Sequence, residues 1–264
     1  MGISYFCPHP TEKKILLMKK LLALALLSFS LVAHAQESEK KPKSPIGGRP
    51  NIPNDLNFEF GFNQLNSRPA DLALDFFGSR TFNVSYQFPI NLFGDNSGIT
   101  LNPGFGIGSD KLKFKEDKNL FRSATLGAES SELREVTSVY GNNISIQTNN
   151  FAANYFEIPI DLRYHFNKNN YSKSFRVSVG GKVGFLYNAH SKIKYDSPTI
   201  GSVKIKNSEN YGLEKLRYGV SVKAGSPGFY VWSTVYLNDM WQAGRGPFAT
   251  EASQINFGLA ISVF

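Results

Sequence analysis

The chain has 264 residues, 41% of them hydrophobic, with 29 lysines and arginines against 21 aspartates and glutamates, a net charge of +8 and a single cysteine. The basic residues are scattered, with no tract beyond Lys40-Lys41-Pro42-Lys43, so the charge argues for a solvated surface and against nucleic-acid binding. Cys7 falls in a segment expected to be removed, which excludes disulfide, thiol and cysteine–zinc chemistry from the mature chain.

Met18 opens "MKKLLALALLSFSLVAHA": two lysines, an apolar stretch from Leu21 to Val32, then Ala33-His34-Ala35. This is the pattern of a secretory signal peptide over residues 18–35, cleaved after Ala35, and residues 1–17 read as a mis-called start. Cleavage removes four lysines and one glutamate and leaves 25 basic against 20 acidic residues, or +5. No later segment offers the roughly 20 consecutive apolar residues of a transmembrane helix. Residues 36–55, "QESEKKPKSPIGGRPNIPND", carry four prolines among charges and read as a disordered periplasmic tether.

From residue 56 to 264 the sequence predicts eight strands, near 56–65, 79–88, 99–114, 154–166, 175–195, 211–224, 229–237 and 255–264, with no competing amphipathic helix. In "YFEIPIDLRYHF", residues 155–166, Phe156, Ile158, Ile160, Leu162 and Tyr164 alternate with Glu157, Asp161, Arg163 and His165. A period of two places the sets on opposite faces of a strand. The same split gives an apolar face with Phe58, Phe60, Phe62, Val177 and Val179, and an opposite face with Glu59, Arg176, Lys182, Arg217 and Lys223 interleaved with glycines. The seventh segment, "FYVWSTVYL", is apolar on both faces and has no assignable orientation.

With both chain ends on one side the connections sort by length. "PINLFGDNSG", "NKNNYSKS" and "GSPG" are short; 66–78, 115–153, 196–210 and 238–254 are long. Short periplasmic turns and long extracellular loops belong to outer-membrane barrels. Twelve residues at about 3.3 Å each span roughly 40 Å, or about 28 Å of height at a 45° tilt, enough for an apolar band about 25 Å tall. Tyr164, Phe166, Tyr187 and Tyr218 fall near strand ends, where aromatic girdles sit. Glycine weakens a solvated strand, but in a narrow lumen it leaves room for long charged side chains. The reading is an all-β, eight-stranded antiparallel up-and-down transmembrane β-barrel in the outer membrane, with its apolar face in lipid and both termini in the periplasm. Closure is required because unpaired edge groups in hydrocarbon are costly.

Three stretches, "NYFEIPIDLRYHF", "FRVSVGGKVGFLYNAHSKIKY" and "YLNDMWQAGRGPFATEASQINFGLAISVF", resemble the PorT-like outer-membrane β-barrel family of Bacteroidota-type bacteria. The resemblance covers residues 56–264 and is strongest from Asn154 onward. It implies insertion by the outer-membrane assembly machinery and offers no catalytic residues to carry over; the family's namesake is implicated in protein secretion. Two positions depart from the expected pattern. Phe264 ends the chain in an aromatic but shares parity with Ser262, and Pro159 removes a ladder donor from a central strand, which a local bulge would reconcile.

The candidate site is the polar lumen: Glu59, Glu157, Asp161, Arg163, His165, Arg176, Lys182, Arg217 and Lys223, expected to pair and plug the barrel. Pairing Phe166 with Phe175 places Pro159 opposite Lys182, with Glu157 and Asp161 as diagonal neighbours. A lipid-modifying enzyme is the first alternative; it would use His165 or His190, but parity turns His190 inward and Ser191 the other way, so no nucleophile–base pair is promised. A diffusion channel needs about 16 to 18 strands. No metal or cofactor is implied. Ile144 and Ile146 keep the parity of Phe156, and "SKIKY" and "SVKIK" flank the third long loop, so strands extend past the membrane and present loops to an unknown protein partner. The last alternative, a soluble lipocalin-like carrier, puts the phenylalanine-rich face inside. Fractionation separates the two: the outer-membrane barrel pellets with envelopes and migrates differently on gels before and after boiling, whereas a carrier is released by osmotic shock.

Overall fold

The computed structural model describes residues 55–263 other than 95, 172, 173 and 227. The expected signal peptide, the expected tether up to Asn54, Cys7 and Phe264 lie outside the described residues. Asp55, read above as the end of the tether, is instead the first residue of a strand.

The strands in chain order are β1 (Asp55–Asn66), β2 (Arg80–Gln87), β3 (Ile90–Leu92), β4 (Ile99–Leu112), β5 (Lys118–Ser123), β6 (Gly127–Glu135), β7 (Ser145–His165), β8 (Arg176–Ser197), β9 (Gly201–Ser208), β10 (Leu216–Ser226), β11 (Phe229–Asp239) and β12 (Ser253–Val263). Eight of them, β1, β2, β4, β7, β8, β10, β11 and β12, each pair antiparallel with the next, and β12 returns to β1, closing the barrel. These are the eight expected strands. No helix among the described residues is long and apolar enough to cross a membrane.

The first and last strands close the ring by pairing β1 with β12. Gly61 faces Gly258 there, and a Cβ on Gly258 would meet the Phe60 carbonyl oxygen at 2.0 Å, one on Gly61 the Phe257 oxygen at 2.2 Å. The two backbones approach too closely for any side chain.

Alternation is strict through the wall. On β7, Glu157, Asp161, Arg163 and His165 are buried while Phe156, Ile158, Ile160 and Leu162 are exposed. The seventh expected strand acquires an orientation: Tyr230, Trp232, Thr234 and Tyr236 turn inward, and Phe229, Val231, Val235 and Leu237 outward. The local bulge that would have reconciled Pro159 does not form. Pro159 stays opposite Lys182, and toward β4 the ladder passes from Pro103↔Ile160 to Gly106↔Glu157 without a shift. The missing donor interrupts the pairing but leaves the register intact.

A register shift does occur higher on the same pair. Tyr155 faces Leu186 but Asn154 faces Asn188, so Tyr187 is an extra residue. Because side chains alternate with a period of two, one inserted residue exchanges the faces beyond it. Ala189, Ser191, Ile193 and Tyr195 become the buried set, and His190 moves outward with Asn188, Lys192 and Lys194. The expected inward His190 and outward Ser191 are thus reversed.

Both termini of the described barrel lie at one end, opposite the long loops, since Leu56 pairs with Val263. At the loop end β7, β8 and β9 project as a sheet beyond the shorter β2, with 21 and 22 residues in β7 and β8 against 8 in β2. The segment 115–153, expected to be mostly loop, holds the β5–β6 hairpin and a helical turn, Val136–Tyr140. Replacing Gly258 by valine is expected to prevent seam closure; the variant should lose heat-modifiable migration and become fully digestible by protease, whereas wild-type retains a resistant barrel.

Candidate functional site

Among the described residues the lumen holds five buried acids, Asp55, Glu59, Asp110, Glu157 and Asp161, and five buried bases, Arg163, Arg176, Lys182, Arg217 and Lys223. The charges cancel in number, and they also alternate in space. Lys223 joins Asp161 at 3.0 Å to Glu59 at 2.9 Å. Lys182 joins Glu59 at 3.2 Å to Glu157 at 3.1 Å. Arg217 joins Glu157 at 2.8 Å to Asp110. Seven side chains thus form one file, Asp161–Lys223–Glu59–Lys182–Glu157–Arg217–Asp110. At the terminus end a separate triad places Asp55 between Arg163 and Arg176, the latter at 3.5 Å.

The topology makes these contacts possible. β1 and β8 stand opposite each other in the ring, so the long Lys182 side chain crosses the lumen to reach Glu59. Glycines leave the space. A Cβ on Gly180 would lie 2.3 Å from Asp161 Oδ1, and one on Gly108 would lie 2.8 Å from the Glu157 carboxyl. Gln87 donates to Asp161 Oδ2 at 2.8 Å and accepts from Asn57 at 2.9 Å, and Asn57 donates in turn to the Asp55 backbone carbonyl at 3.4 Å. The Arg217 guanidinium is stacked between Tyr155, 3.5 Å from the ring centroid, and Tyr236, 4.3 Å away. Desolvated cation–π contacts of this kind supplement the ion pairs. Lys182 fulfils the expected diagonal pairing with Glu157, but Asp161 pairs with Lys223 and Gln87 instead of Lys182.

His165 sits at the terminus end, its Nε2 3.3 Å from Thr100 Oγ1 and its ring stacked on Tyr171 at 4.3 Å. His165 Nδ1 has no hydrogen-bond partner among the described residues, so no carboxylate orients this hydroxyl–imidazole pair. Ser191 is buried and shares a hydrogen bond with the Tyr211 hydroxyl at 2.9 Å, while His190 Nδ1 meets Asn188 Oδ1 at 3.0 Å on the other face. The candidate nucleophile and base are separated by the sheet. Among the described residues no group of three or more His, Cys, Asp or Glu could hold a metal ion.

Above Arg217 the lumen becomes apolar. Leu65, Leu112 and Phe151 from three strands and Leu213, Met240 and Trp241 from two loops belong to a buried cluster that fills the mouth. The β5–β6 hairpin is fixed to it: Ser131 donates through Oγ to the Tyr211 oxygen at 2.8 Å and through its backbone to the Arg245 oxygen at 2.8 Å. Asp55, Asp110, Tyr155, Tyr236 and this cap were not anticipated. Parity carried a signal for most of them, because Asp110 lies on the inward set of β4, and Leu65, Leu112, Phe151 and Leu213 continue inward sets past the last charge.

A family model for the outer membrane protein beta-barrel domain matches residues 35–241. The chain belongs to that family. As an outer-membrane β-barrel protein it shows detectable structural likeness to Ail, the attachment invasion locus protein of Yersinia pestis, solved in complex with the heparin analogue sucrose octasulfate. The two are 12% identical, the match covers 80% of this chain and 97% of Ail, and the TM-score is 0.34. No curated protein sequence matches the chain.

For this outer-membrane barrel the pairing in the lumen has a measurable consequence. Asp110 is fully buried and Arg217 is the only cation paired with it among the described residues. Leaving a buried charge without its partner costs about 3–5 kcal/mol. Arg217→Met is expected to lower the unfolding free energy by about that amount in urea titrations of the reconstituted barrel, and adding Asp110→Asn should recover part of the loss.

Proposed function

We propose that this outer-membrane protein is a non-enzymatic scaffold or interaction protein, an accessory to protein secretion or envelope assembly of the PorT-like kind. The loop end faces the cell exterior and both termini the periplasm. Phe58, Phe60, Phe62, Phe156, Ile158, Ile160, Leu162, Val177 and Val179, all on the outer surface, meet the acyl chains. The outer-membrane assembly machinery inserts the barrel, and a protein partner binds at the loops.

One observation carries this reading: every charge in the lumen is engaged within it, and an apolar cluster closes the mouth above. Among the described residues, the spaces left beside Arg217 and beside Arg163 and Arg176 hold only about 10 Å³ each. The elaborated part of the molecule is the loop end, where β5–β6 and the β7–β8–β9 sheet are braced by a second apolar cluster around Val136, Ile193 and Tyr195. Stiff loops on a rigid scaffold suit recognition.

Planar-bilayer recordings are expected to show no stable openings, and steady conductance would overturn the reading. Crosslinking in native outer membranes should capture a protein partner. Replacing residues 121–134 by a short glycine–serine turn should abolish that capture while heat-modifiable migration persists; undiminished capture would remove the loops from the role assigned to them.

A further inference from the structure

The outer surface changes character at Tyr187. Its ring packs on Phe156 at 4.6 Å, at the loop-end edge of the apolar surface. Beyond it the outward positions of β8 are Asn188, His190, Lys192 and Lys194, a set that faces outward only because Tyr187 is an extra residue. On β9, Lys206 stands directly opposite Lys192, and Lys204 opposite Lys194. In the other direction the ladder row through His190 runs across Ala152 to Lys111 of β4 and Arg80 of β2. Lys111 lies within electrostatic reach of Arg80, Lys113 and Lys192, and His190 within reach of Lys192 and Lys206.

Acidic neighbours are few. Asp75 pairs with Lys113 at 3.9 Å, and Asp196, nearer the hairpin tip, accepts a hydrogen bond from Gln147. Among the described residues, Arg80, Lys111, Lys192, Lys194, Lys204 and Lys206 have no carboxylate within 4.0 Å. Like charges directly opposite in a strand pair are destabilising, and here two such pairs follow one another. The lumen of the same barrel pairs its cations, so the unpaired ones on this face call for an anion from outside the chain.

Continuity with the apolar surface says which anion. His190 and Lys192 lie three and five residues past Tyr187, roughly 10 and 16 Å along the strand, or about 7–8 and 11–13 Å in height at a tilt of 35–45°. A lipid whose chains coat Val179, Phe185 and Tyr187 has its headgroup at that level. We propose that Arg80, Lys111, Lys192 and Lys206, flanked by Lys194 and Lys204, bind the phosphorylated headgroup of the outer-leaflet glycolipid. The inference rests on the loop end facing outward, and basic clusters beside a membrane-embedded surface recognise anionic headgroups in this way.

The test uses the mature chain, purified in detergent and mixed with phosphorylated lipid A or its dephosphorylated form, with bound lipid counted by native mass spectrometry. Wild-type protein is expected to retain the phosphorylated form preferentially. The triple variant Lys111→Gln, Lys192→Gln, Lys206→Gln should bind it roughly a hundredfold more weakly, with unchanged heat-modifiable migration showing an intact barrel. Equal retention of the dephosphorylated lipid, or undiminished binding by the variant, would overturn the proposal. Displacement of the lipid by equimolar soluble polyphosphate would also overturn it, in favour of a soluble polyanion. Labelling of Lys204 by a membrane-impermeant amine reagent on intact cells tests the outward orientation separately, so loss of labelling with retained phosphate selectivity would count against the orientation and not against the site.

Discussion

A charge placed inside a narrow barrel has little water to screen it, and the energy of removing it from water must be offset by an opposite charge close by. The five acids and five bases of this lumen meet that constraint as an alternating file from Asp161 to Asp110 and a triad around Asp55. Much else in the wall follows from it. Lys182 and Lys223 need carboxylates within reach on distant strands, so the ring must be small enough for a lysine to cross it. The carboxylates need space, and Gly108 and Gly180 supply it.

The file ends where side chains become apolar, and that boundary divides the barrel into two parts. Below it, the wall is a plugged cylinder whose outer residues differ little in chemistry from one strand to the next. Above it, the inward sets of β1, β4 and β7 carry Leu65, Leu112 and Phe151, which pack with Leu213, Met240 and Trp241 from the loops into a cap. The cap gives the loops a core of their own. That core is why the β5–β6 hairpin and the projecting sheet are fixed in place, and why the proposed recognition role falls at this end of the outer-membrane barrel.

The extra residue at Tyr187 connects the two parts. Without it, Lys192 and Lys194 would continue the inward set of Arg176 and Lys182 and enter the apolar mouth unpaired, while Ile193 and Tyr195 would face outward. With it, the isoleucine and tyrosine brace the helical turn at Val136–Tyr140 and the lysines stand on the exterior. One inserted residue therefore supplies both the stiffness of the projecting sheet and its basic outer face.

Much of the architecture was legible in the chain because a two-residue period and the sorting of loop lengths are local properties. They sufficed for the eight strands, for the burial of Glu59, Lys182 and Arg217, and for the facing of Pro159 with Lys182. Which cation meets which carboxylate was not local: Lys182 and Glu59 are 123 residues apart, brought together only because β1 and β8 stand across the ring. The orientation of "FYVWSTVYL" was undecided for a related reason, since Tyr230, Trp232 and Tyr236 are as apolar as the residues that face out, and only ring closure turns them inward. The reversal at Tyr187 escaped the sequence because an inserted residue carries no mark of its own until its partner strand counts one residue fewer. Alternation along each strand was written in the residues, while partnership across the lumen and the side on which the β8 lysines emerge were decided by closure of the sheet upon itself.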